Sequence, residues 1–227
     1  MMYQYRDIQY ELRHAARKTA SIYIERDGTV SLRVPKGTSD VRVEKILESR
    51  RKWIYKSLAE WRLLNAARVQ RQYVNGEGFL YLGRSYRLRL LDRAATALTL
   101  KGGYFQLHVK GGDCAKHFKD FYREKGLSHI PTRVEYFAKR LGLDVRGIRV
   151  MELKNRWGSC SNNRYLNFHW KCMMAPLTVI DYIIVHELAH LRHKRHTKAF
   201  WGEIDKVLPD YKERIEWLRS NGSGMSL

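Results

Sequence analysis

Ile183-Ile184-Val185-His186-Glu187-Leu188-Ala189-His190, residues 183–190, decide how the rest of the chain is read. The octet is H-E-x-x-H inside an apolar run. On a helix, residues four apart share a face about one turn along the axis, so two imidazoles there reach one Zn²⁺ together. Glu187 points about 100° away, which lets it approach the metal's water as a general base rather than ligate the metal. The bland alternative is an amphipathic helix with two incidental histidines. Against it, Val179, Ile180, Ile183 and Ile184 would bury the helix, and buried His and Glu need a metal or a hydrogen-bond network to satisfy them.

A catalytic zinc takes three protein ligands and a water. His193 and His196 follow the motif. His193 would point the same way as His186 on a straight helix, but roughly 10 Å further along. Three side chains on successive turns do not converge on one ion. A third ligand comes more naturally after the chain turns back. His196 precedes Thr197, an N-cap for a helix over Lys198–Val207, and Lys194 and Arg195 suit a helix C-terminus. His196 is therefore favoured, with His193 as the alternative.

Working outward, Pro176 opens the motif helix. Val145–Leu153 and Tyr165–Met174 read as strands, and Tyr165–Trp170 is the candidate edge strand for pairing with a substrate backbone. Two helices broken near Pro131 occupy the stretch from Cys114 to Gly142. The first part is β-rich. Ala20–Glu25 and Thr29–Val34 flank Asp27-Gly28 as a hairpin. Phe79–Leu82 with Tyr86–Leu91, and Ala97–Leu100 with Tyr104–Val109, make two more. One helix, Ser39–Val69, is inserted. Gly111-Gly112 marks a boundary, giving a β-rich domain over 1–112 with one inserted helix and a catalytic domain over 113–227. No internal repeat is evident.

Arg156-Trp157-Gly158-Ser159-Cys160 suggests a tight turn close to something. Arg156 either meets an oxyanion, carboxylate or phosphate, or pairs with an acid such as Asp181. Trp157 and Cys160 read as core. Phe200 and Trp201 read as packing that braces His196.

These residues resemble the YgjP-like family of small zinc metallopeptidases, related to the WLM and SprT-like proteases. The likeness rests on Arg156 to Cys160, Met174-Ala175-Pro176, Val179 to Leu191, His196 with Phe200-Trp201, and Pro209 with Tyr211. It implies an α+β fold: a β-rich N-terminal part, then a minigluzincin-like zincin domain. It also implies zinc held by His186, His190 and His196, and Glu187 as the catalytic residue. One departure lies before Ala175-Pro176, where an asparagine and a tryptophan are expected and the chain reads Asn167-Phe168-His169-Trp170. Asn167 or His169 then takes the polar, substrate-facing position.

Composition bounds the alternatives. With 227 residues, 44% hydrophobic and 29% charged, the chain is globular rather than disordered. Lys+Arg 43 against Asp+Glu 23 gives +20, spread along the chain, which favours polyanionic partners or acidic substrates. Beside a peptidase acting on protein or peptide, two further functions stay open. One is zinc-dependent pyrophosphohydrolysis of a nucleoside triphosphate, although no GxxxxGK[ST] loop is present. The other is a DNA-associated protease, with Arg50-Arg51-Lys52 and Arg84–Arg93 as phosphate contacts. Three cysteines without a CxxC pair suit a reducing cytoplasm. The N-terminus lacks a signal-peptide apolar region, and the longest apolar stretch, Leu177 to Val185, is too short to span a membrane. Oligomeric state is left open.

Overall fold

The computed structural model describes residues 2–25, 28–66, 70–92, 96–108, 112–153 and 156–227. Asp27, Val69, Arg93, Val109 and Gly111, which figure in the expectations above, lie outside them. The fold is α+β and divides into two compact units, Met1–Arg68 and Val69–Leu227.

The first unit holds β1 (Met2–Tyr5), β2 (Ile8–Ala15), β3 (Ser21–Ile24), β4 (Val30–Pro35) and α1 (Asp40–Ala66). Its sheet order is β1-β2-β4-β3, with β2 parallel to β4 and the other pairs antiparallel. Ile8 and Tyr10 alternate inward on β2, as do Val30, Leu32 and Val34 on β4. They bury against Val43, Leu47 and Ile54 at helical spacing on α1.

The second unit opens with the same design. β5 (Gly78–Tyr81), β6 (Arg84–Leu91), β7 (Leu98–Lys101) and β8 (Tyr104–His108) pair in the order β5-β6-β8-β7, and α2 (Cys114–Leu141) follows. Again the second and fourth strands are parallel. The registers match: the row Leu12↔Leu32↔Ile22 in one sheet recurs as Leu88↔Phe105↔Leu100 in the other. Both first hairpins turn through a non-glycine residue of positive φ, Arg6 (51°) and Leu82 (49°). So the chain does contain an internal repeat, a ββββα module. It is nearly silent in sequence because only Tyr5, Tyr10, Leu12 and Arg13 recur, as Tyr81, Tyr86, Leu88 and Arg89, at matching hairpin positions.

After α2 come β9 (Gly147–Met151), β10 (Gly158–Cys160), β11 (Tyr165–His169), a 3₁₀ turn (Trp170–Met174), and the helices α3 (Leu177–Ala189), α4 (Lys198–Asp205) and α5 (Tyr211–Asn221). The three strands form a sheet in the order β10-β11-β9.

The division at residue 68 replaces the one expected at 112, and the reason is packing. Phe79 of β5 stacks on Phe118 of α2 at 4.2 Å, and Phe105 of β8 meets Phe118 and Phe121 at 5.1 and 5.2 Å. The second sheet thus shares one core with the helices. Its first turn also reaches the motif segment: Leu82 and Gly83 N–H donate to the carbonyls of Met173 and Met174 at 2.8 and 3.1 Å. Gly83 has φ 78°, and a Cβ there would lie 2.8 Å from Pro176, so glycine permits both the turn and the approach.

Two further expectations give way. Pro131 does not split α2, which runs unbroken to a left-handed Gly142 cap. The carbonyl that loses its partner belongs to Leu127, which is exposed, while Phe121, Tyr122, Ile130, Val134 and Phe137 on both sides bury in one core. The strand expected over Tyr165–Met174 ends at His169, whose Nδ1 accepts from Lys171 N–H at 3.0 Å and caps the 3₁₀ turn. No helix among the described residues is long and apolar enough to cross a membrane.

Candidate metal centre

The centre begins with α3, which is anchored along its length. Val179, Ile180, Ile183, Ile184, Val185, Leu188 and Ala189 are buried. Asp181, also buried, takes a bidentate pair from Arg133 of α2, Nε to Oδ1 at 2.8 Å and Nη2 to Oδ2 at 2.6 Å. Arg156 therefore does not pair with Asp181. The helix stops at Ala189, and His190 is its C-cap. The chain turns back and Thr197 caps α4, its hydroxyl accepting from Phe200 N–H.

This return brings three imidazoles together. His196 Nε2 lies 3.2 Å from Nε2 of both His186 and His190. Phe200 underlies all three rings at 5.0, 4.7 and 4.7 Å, and Trp201 flanks His186 and His196 while stacking on Tyr211 at 5.5 Å. His193 does not join them. Its ring lies 3.9 Å from Glu203, and its carbonyl sits 3.0 Å from His190 Nδ1.

One hydrogen bond fixes what His190 offers. His190 Nδ1 faces a carbonyl, which only accepts, so Nδ1 carries the proton and Nε2 presents a bare lone pair. His186 Nδ1 lies 3.2 Å from Tyr182 Oη, one turn back on α3. Burial, then the neighbouring His190 and His196, push His186 down to about 3; burial and His190 lower His196 too. Three ring nitrogens this close together form a donor set suited to a metal cation. Three nitrogens around a tetrahedral zinc at about 2.05 Å stand about 3.3 Å apart, close to the spacing found here. The donor set fits a metal, and among the described residues this is the one cluster of at least three His, Cys, Asp or Glu side chains that could hold an ion.

Glu187 faces a cleft of about 490 Å³ beside the trio. Burial raises its carboxyl to about 8, against an opposing pull from Arg156. The carboxylate leans on β10: a Cβ on Gly158 would lie 2.7 Å from Glu187 Cγ and 2.8 Å from Oε1. Gly158 and Ser159 are thus strand residues at a close approach, not a turn. Arg156, Trp157, Ser159, Cys160, Asn162, Tyr182, Lys194, Ile215 and Leu218 also line the cleft. Trp157 packs on the core, as expected; Cys160 also touches the core but is only half-buried.

The strand expected at the edge is not there. β11 lies between β10 and β9, and β10 is the edge on the cleft side. Asn167 on β11 donates to Ser159 Oγ at 3.1 Å, and His169 is buried as the cap of the 3₁₀ turn. Neither lines the cleft. Sequence reasoning missed Tyr182 and Lys194, although Tyr182 stands four residues before His186, the spacing that signals a shared helix face. Of the basic stretches, Arg51 pairs with Glu48 at 3.1 Å, and Arg89 stacks on Tyr104 at 4.2 Å.

No curated protein matches the chain. Among solved structures it is similar to the metallopeptidase zymogen of Pyrococcus abyssi abylysin, at 26% identity over 38% of this chain and 89% of that one, with a TM-score of 0.37. The YgjP-like, metallopeptidase domain, family matches residues 18–221, a span that holds the three imidazoles, Glu187 and the cleft, and the chain belongs to that family.

Proposed function

We propose that the protein is a zinc-dependent endopeptidase in which His186, His190 and His196 hold the metal and Glu187 is the general base. The observation that carries this is the convergence of three imidazole nitrogens beside one buried carboxyl on an open cleft. When bound, zinc supplies a Lewis acid that polarises the scissile carbonyl and acidifies water.

The chain's own residues do the rest. The free edge of β10 takes the substrate backbone as an added strand, and Gly158 keeps that edge close to Glu187. Glu187 accepts the proton of the attacking water at its carboxylate and delivers it to the leaving nitrogen. Arg156, at the mouth, binds an anionic group of the substrate. Ile215 and Leu218, which also line the cleft, give the substrate an apolar seat. The three free thiols, Cys114, Cys160 and Cys172, suit a reducing cytoplasm.

The test is metal content and proteolysis together. Wild type, His196→Ala, His193→Ala and Glu187→Gln are purified, analysed for zinc and incubated with an unfolded protein. The proposal expects about one zinc per chain in all but His196→Ala, and cleavage by wild type and His193→Ala alone. Zinc retained in His196→Ala, or cleavage by Glu187→Gln, would overturn it.

A further inference from the structure

The charge lining the cleft is one-sided. Among its described lining residues Glu187 is the one carboxyl, and it is only 6% exposed. Two cations stand against it, at opposite ends of β10. Arg156 precedes the strand in the chain; Lys194, on the turn after the motif, stands near Cys160 at the strand's other end, and both line the cleft.

The surrounding charges have partners. Arg133 is held by Asp181, and Arg192 by Glu203 at 3.3 Å and the Leu141 carbonyl at 2.7 Å. Arg214 is held by Asp210 at 2.9 Å and Arg164 by the Asp144 carbonyl at 2.6 Å. The acids in reach are taken as well: Glu152 by Lys119 at 3.4 Å, and Glu203 by both Arg192 and Lys206. Arg156 and Lys194 make no ion pair among the described residues. Both are exposed, and both line the cleft. The same cleft offers apolar surface from Trp157, Tyr182, Ile183, Ile215 and Leu218.

We propose that the substrate is an acidic peptide: an extended segment laid along β10, with an apolar side chain against Ile215 and Leu218 and a carboxylate on each flank, one met by Arg156 and the other by Lys194. This rests on the peptidase reading of the cleft and adds the substrate's charge to it. The two cations flank an edge strand, so they select charge at two separated positions of a strand-paired chain. A single compact anion would need them side by side. Because both are rim charges, they act on capture and on its salt dependence more than on the chemical step.

The experiment uses the zinc-loaded full chain and three peptides of one length with a central leucine, flanked by Glu, Gln or Lys. Cleavage is followed as kcat/KM from 20 mM to 500 mM salt, for wild type, Arg156→Gln and Arg156→Glu/Lys194→Glu. The proposal expects the Glu peptide to exceed the Lys peptide about tenfold at low salt, the size expected of two rim ion pairs. That ratio should shrink with salt, fall about threefold in Arg156→Gln and invert in the double variant. Thermal unfolding checks that the variants fold; if the double variant does not, Arg156→Gln and the salt series decide alone. Cleavage indifferent to flanking charge sinks this inference and leaves the peptidase reading standing. No cleavage of any peptide by zinc-loaded wild type sinks the peptidase reading itself. Phosphate release from a nucleoside triphosphate without peptide cleavage would overturn both.

Discussion

The two ββββα modules share strand order, register and a following long helix, yet among the described residues only the second has the candidate metal centre fastened to it. Among the described residues the first closes on a small core of eight buried side chains, Ile8 to Ile54. The second adds a larger aromatic layer, Phe79, Phe105, Phe118 and Phe121, and its first turn receives the carbonyls of Met173 and Met174. That docking fixes Pro176 and so the start of α3. The lesson is that the module is a scaffold, and the site depends on what is fastened to its turn.

The comparison breaks most visibly at Glu187. Glu187→Gln is expected to lower peptide cleavage about 10³-fold, the size of a general-base contribution, while zinc content is unchanged. The same variant tests the burial of that carboxyl. In metal-free wild type the folded-state pKa is raised from 4.5 to about 8. The unfolded chain therefore ionises first, and wild type should lose stability relative to Glu187→Gln as pH rises from about 4.5 to about 8, then level off. At about 1.4 kcal/mol per unit the gap amounts to a few kcal/mol, read by denaturant titration with chelator present.

Equivalent core positions sharpen the contrast. Leu32 and Phe105 occupy the same place in the two sheets, and both are fully buried. Each alanine substitution should cost about 2–5 kcal/mol. Phe105→Ala should lower the unfolding transition that zinc raises, and Leu32→Ala should leave that transition in place. Equal coupling of both to zinc would show that the modules are not separable. Next in size, Gly158→Ala forces the Glu187 carboxylate aside; a roughly 10²-fold fall in kcat with zinc retained is expected. Smallest is Tyr182→Phe. The ring stays, but His186 Nδ1 loses its partner, and zinc affinity by chelator competition should weaken about tenfold. An unchanged affinity would confine Tyr182 to packing.

The parts legible in the sequence are those set by neighbours along the chain. His186 and His190 follow from helical spacing, and His196 from the cap at Thr197. The hairpins at residues 78–91 and 98–108 follow from glycine turns between alternating residues. What could not be read depends on distant partners. Arg133 takes Asp181 from 48 residues away, a pairing that no local spacing signals. Strand order in a three-stranded sheet is a tertiary fact, so the alternation at Tyr165–Trp170 does not reveal that the edge is β10. Pro131 carries a local signal to break that the core on both its sides overrides. The repeat hides because burial needs only the alternation of apolar residues, which many sequences satisfy.

The three imidazoles are not held alike. His186 and His190 sit at the end of a helix rooted in the core, whereas His196 rides on the exposed turn before α4. A ring on such a turn can swing away within nanoseconds to microseconds; the helix rings leave only when α3 itself opens. With a metal held as proposed, the turn would govern both how fast the ion leaves and how tightly it is held, because the third ligand rides on it. Substitutions at 191–195 that loosen the turn would speed metal release and lower affinity together, while those that stiffen it would slow release.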